Sequence, residues 1–151
     1  MFWAYDVALG VLFIEAARVG AGVPADLRPP FWPELEQELR TQALIGASAA
    51  VVLDDFAIDQ QQVLLSCVAE AARRIEARGG VSGDEVAEWP ELKEGATSFL
   101  RGAEHLAAAP LVGLAQALAE LAAGTLSPAP AGRHWYYGTP EGRIVQGGNR
   151  S

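Results

Sequence analysis

Residues 60–78, "QQQVLLSCVAEAARRIEAR", decide the class of the fold. Val63, Leu64, Cys67, Val68, Ala71, Ala72 and Ile75 recur at spacings of one, three and four, so they share one face of a helix, while Gln61, Glu70, Arg73, Arg74 and Arg78 take the other. Asp59 offers a capping oxygen at the start, and Gly79 and Gly80 end the helix. An apolar face of that length has to be buried, so neighbours of similar pattern are expected on both sides.

Upstream, "MFWAYDVALGVLFIEAARVG" (1–20) carries the same periodicity through Phe2, Trp3, Val7, Gly10, Val11 and Ile14, which predicts a first helix ending near Gly20 and Gly22. Asp6 and Glu15 interrupt its apolar run, no basic residue precedes it, and the uncharged run 7–14 is too short to span a bilayer. A buried core helix is expected there, not a leader or an anchor. The prolines of "GVPADLRPPFWP" (22–33) forbid regular helix and should hold Phe31 and Trp32 in an extended connection. A second helix is predicted from Pro33, with Glu34, Glu36 and Glu38 toward the positive end of its dipole and Leu35, Leu39 and Ala43 on one face. Its uncharged far half, 43–53, reads as helix in preference to a buried strand, with Gly46 as a place to break.

Downstream, "SGDE" (82–85) has the spacing of a capping box and opens a short helix that Pro90 ends or restarts. From Pro90 a further helix is predicted with Leu92, Ala96, Phe99, Leu100 and Ala103 inward, and after Pro110 a last one with Leu111, Leu114, Leu118 and Leu121 before Gly124. "TLSPAPAG" (125–132) is a connector. His134, Trp135, Tyr136 and Tyr137 then face Arg143, Ile144, Val145 and Gln146 across the turn "GTPEG", as in a β-hairpin. The expected fold is mainly α: a single domain over 1–151, with about six helices in 1–126 and a C-terminal β-hairpin at 133–146 packed on them, because a lone hairpin is marginal in water.

Composition narrows the function classes. At 151 residues the chain suits one core that buries roughly two-thirds of the unfolded surface. Half its residues are hydrophobic and a fifth charged, so it should fold without a partner. A net charge of -8, with Lys93 the only lysine, argues against nucleic acid as the partner. The single cysteine, Cys67, excludes an internal disulfide and a multi-cysteine zinc site, and a reducing, cytoplasmic setting is expected. Cys67 sits on the apolar face of its helix, where a thiol is inert.

No stretch spells a catalytic motif. His105 and His134 lack a second ligand at metal spacing, and after Asp54, Asp55 and Asp59 the positions of a calcium loop are filled by Gln61, Val63 and Leu65. The glycines form no phosphate loop. Neither a metal nor a cofactor is expected, and an enzyme would require Asp54, Asp55, His105 and His134 to converge on a pocket.

The segment "GDEVAEWPELKE" (83–94) stands apart, because Asp84, Glu85, Glu88 and Glu91 surround Trp89. An aromatic anchor inside a charged rim is the anatomy of a binding hot spot, and such a rim steers a cationic partner. Trp135 and Tyr137 are the second candidate patch. The character of the chain is therefore that of a non-enzymatic acidic binding protein that masks a basic protein partner, with a bacterial immunity protein or antitoxin against a nuclease-like toxin as the concrete expectation. The alternatives are a structural or accessory subunit, homodimeric through its first helix and terminal hairpin, and a small enzyme or ligand binder.

Overall fold

The computed structural model describes residues 2–45, 49–51, 53–90 and 103–147. The chain is mainly helical with a C-terminal antiparallel hairpin. Five α-helices are described, α1 (Asp6–Ala21), α2 (Trp32–Ile45), α3 (Ile58–Ala77), α4 (Gly83–Ala87) and α5 (Ala108–Ala123), fewer than the six expected. The helix predicted over 90–103 falls almost wholly outside the described residues.

Helix α1 is the centre of the molecule. Every residue from Val7 to Ala17 is buried, because α2, α3 and α5 all pack against it. A helix that is apolar on all sides requires that surrounding. The expected face of α3 is the one that turns inward, with Leu64, Cys67, Val68, Ala71, Ala72 and Ile75 buried. Leu111, Leu114 and Leu118 of α5 close the core from the other side, and Gly124, at φ 72°, ends α5 in the left-handed conformation that glycine adopts freely.

The sheet content exceeds a lone hairpin. Strand β1 (Phe2–Ala4) lies between β2 (Ala49–Val51), to which it is antiparallel, and β5 (Arg133–Thr139), to which it is parallel; β6 (Gly142–Gly147) completes the order β2-β1-β5-β6. Two expectations are corrected here. Phe2 and Trp3 belong to a strand, and the far half of the predicted second helix ends at Ile45 and gives β2. Short apolar runs look alike in either conformation, and only a distant partner strand decides between them. Tyr5 seals the junction, its N–H donating to the Tyr137 carbonyl at 2.7 Å.

Other local expectations shift by a residue or more. Helix α2 begins at Trp32, so this residue is helical, and its ring is 2% exposed and lies over Gly20. Asp59 does not cap α3: Ala57 occupies that position, and its N–H donates to Gln60 Oε1 at 3.1 Å. Gln61 turns back to donate to the carbonyls of Leu53 and Phe56, tying down the preceding turn. Ser82 does cap α4, accepting from the Glu85 N–H at 3.1 Å. A second small sheet pairs β3 (Gly80–Ser82) antiparallel with β4 (His105–Ala107), a contact made between strands too short to announce themselves.

The hairpin sits on α5. Its register shifts between Tyr136 and Thr139, where Gly138, at φ 86°, comes so close to Ala8 and Leu114 that a Cβ would press on both. This bulge brings the inner end of β5 down onto the helices. Thr139 Oγ1 donates to the Gly142 carbonyl at 2.6 Å and locks the turn.

Candidate functional site

Two regions were singled out by the sequence, and the fold treats them differently. The first surrounds α4. Asp84 and Glu88 are exposed on it, whereas Glu85 is partly covered and accepts from Arg78 at 2.7 Å. Glu91 lies outside the described residues. Topology adds one carboxylate that sequence reading missed: the Gly83 N–H donates to the Glu104 carbonyl at 2.7 Å, so exposed Glu104 stands beside the start of α4. Twenty residues of separation hid it.

Trp89 is not an exposed anchor. It is 2% exposed, its backbone N–H donates to the Val86 carbonyl at 3.0 Å, and the Arg18 guanidinium from α1 covers its ring at 4.6 Å from the centroid. The short α4 and the turn after it deliver the indole back onto the helical body, which buries more apolar surface than pointing it at solvent. Burial pulls the Arg18 pKa below its ordinary value, an effect opposed by the nearby Glu15 and Glu85 carboxylates.

The arginines of the helical body face carboxylates within the chain. Arg40 pairs with Glu36 at 3.1 Å, Arg73 and Arg74 both pair with Glu70, and Arg78 joins Glu85 to buried Glu15 at 3.0 Å. These arginines are therefore neutralised internally. Glu34, Glu38, Asp54, Asp59, Glu76, Asp84, Glu88 and Glu104 are exposed, and the acidic surplus appears on the surface.

The second region is the hairpin. Tyr137 is 5% exposed and belongs to the core, and burial raises its phenol pKa, so the group stays neutral. Trp135 is half-buried. Arg143 lies over its ring at 3.8 Å, and its indole N–H donates to the Ser127 carbonyl at 3.2 Å. A cavity of about 370 Å³ lies between α5 and the hairpin turn, and one of about 360 Å³ lies under the connector; Tyr137 lines both.

The remaining polar candidates lie on different elements, and the side chain of Asp55 lies outside the described residues. His105 is in the β3–β4 sheet, His134 is in β5 with Gln146 Oε1 at 3.2 Å, and Asp54 is exposed in the turn before α3. Among the described residues no three of His, Cys, Asp and Glu come together in a way that could hold a metal ion. Cys67 is buried, and desolvation pushes its pKa up, as for a packing thiol. Among the described residues no helix is long and apolar enough to cross a membrane. Comparison of the chain with protein-family models, curated proteins and solved structures finds no match in any of the three.

Proposed function

We propose that this chain is a non-enzymatic binding protein that masks a basic protein partner, most concretely an immunity protein or antitoxin held against a cationic, nuclease-like toxin. The observation that carries this reading is the distribution of charge: arginines of the helical body face carboxylates of the chain, and the acidic surplus is exposed. A surface of one sign raises the rate of encounter with the opposite sign and repels anionic competitors. The contact face is the acidic margin of α4, formed by Asp84 and Glu88 with Glu104 beside them, and the partly covered Glu85 extends it. Trp89 supports this margin from below, and Trp135 is the aromatic group nearest to solvent in the other patch.

The test is retention of a partner from native lysate on the immobilised chain at low salt, followed by a salt gradient. A single basic protein should elute as salt rises, and the Asp84→Lys/Glu88→Lys double variant should lose it while keeping its helical circular dichroism. Recovery of the chain alone, as a dimer or larger, overturns the masking role and favours the structural subunit.

A further inference from the structure

We propose that the cavity of about 360 Å³ beneath the 125–132 connector is a binding site for a small aromatic carboxylate. Its volume falls in the range of small-molecule sites. Leu121, Leu126 and Pro128 supply apolar wall, Trp135 and Tyr137 supply flat aromatic wall, and Arg133 stands at the margin.

Charge identifies the class of ligand. On a chain of net charge -8, none of the described residues lining this cavity is a carboxylate. Arg133 is exposed there and makes no ion pair among the described residues, unlike Arg40, Arg73, Arg74 and Arg78. The neighbouring cavity is different, since Glu120 and Glu141 line it beside Arg143. A guanidinium fork presents two parallel donors to a carboxylate, and the geometry favours that anion over a neutral polar group.

The aromatic half of the ligand follows from Trp135. Its ring is held on one face by Arg143 and at its edge by the Ser127 carbonyl, so its orientation is set before anything binds. A wall fixed in advance spares the ordering cost that a mobile side chain would add on binding. A planar ring resting against Trp135 and Tyr137 with its carboxylate toward Arg133 satisfies both features.

The experiment is calorimetric titration of the full chain with naphthalene-2-carboxylate, and in parallel with naphthalene-2-carboxamide. One-to-one binding with a Kd below about 1 mM is expected for the acid, and the amide should bind at least about tenfold more weakly. Arg133→Gln, at an exposed position, should weaken the acid about tenfold. Ala129→Phe, which fills the cavity, should abolish binding, and circular dichroism checks the fold of both variants. Absence of saturable binding of the acid, equal binding of acid and amide, or an Arg133→Gln variant that binds as well as the parent each overturns the proposal.

Discussion

Among the described residues two tryptophans lie under arginines, and they differ in how far they are buried. Trp89 follows α4, is 2% exposed and is closed over by Arg18 at 4.6 Å; Trp135 is on β5, half-buried, with Arg143 at 3.8 Å. The sequence around Trp89 is rich in acid and suggests an exposed anchor, while Trp135 sits in a hairpin expected to pack on the helices and in the second candidate patch. The fold buries Trp89 and leaves Trp135 partly covered, packed against the edge of the core. A tryptophan's neighbours in sequence set the charge around it, but its cover depends on which element arrives above it. Helix α1 supplies Arg18 to Trp89, so that contact is part of the core. Arg143 comes from the paired strand, on the diagonal of the Trp135–Val145 pair, and leaves the rest of the indole for the cavity.

The largest expected effect breaks the comparison if it fails. Trp89→Ala should cost about 3–5 kcal/mol in urea unfolding, as for a large aromatic removed from a core. A loss no greater than that of Trp135→Ala would mean that the two indoles are equivalent. Next comes Gly20→Ala, whose new Cβ runs into the Trp32 ring, and a loss of about 1–3 kcal/mol is expected for forcing that ring aside. A neutral result would show that α2 shifts freely on α1, contrary to a tightly packed helical body. Trp135→Ala should cost only about 1 kcal/mol, because the ring is partly exposed before it is removed. Its more telling consequence is loss of aryl carboxylate binding with the fold retained.

The smallest effect concerns the surface of α3. Hydrogen bonds from Arg73 first and Arg74 second hold the Glu70 carboxyl below its ordinary pKa. A carboxyl depressed in the folded state stabilises the fold at neutral pH and loses that contribution as pH falls through the folded value. Glu70→Gln should therefore lower the urea midpoint slightly at about pH 7, and the gap should close toward about pH 2–3. A gap that stays constant in acid would assign the effect to packing and not to charge.

Much of the helical body was legible in sequence. The face of α3, the Ser82 cap of α4 and the Gly124 end of α5 follow from spacing and from residues whose side chains or φ preferences act locally. Strands β1 and β2 were not legible, because "FWA" and "AAV" are three residues each and acquire strand character only from pairing with one another and with β5. The acidic margin was half legible: Asp84 and Glu88 were visible in the run around Trp89, whereas Glu104 reaches α4 only through the β3–β4 pairing. The cavity under the connector had no signature at all, since its walls are drawn from the end of α5, a proline-rich connector and the first part of strand β5.

What the sequence by itself determined is the helical class, the hairpin, the net charge and the place of Cys67 on the apolar face of α3. Each is a property of local spacing or of composition, and none needs a partner distant in the chain. What only the tertiary structure decided is which tryptophan is buried, where β1 finds its neighbours and how a pocket without carboxylates arises on an acidic protein. Those outcomes depend on contacts between residues tens of positions apart, whose free energy is realised only when the whole core closes.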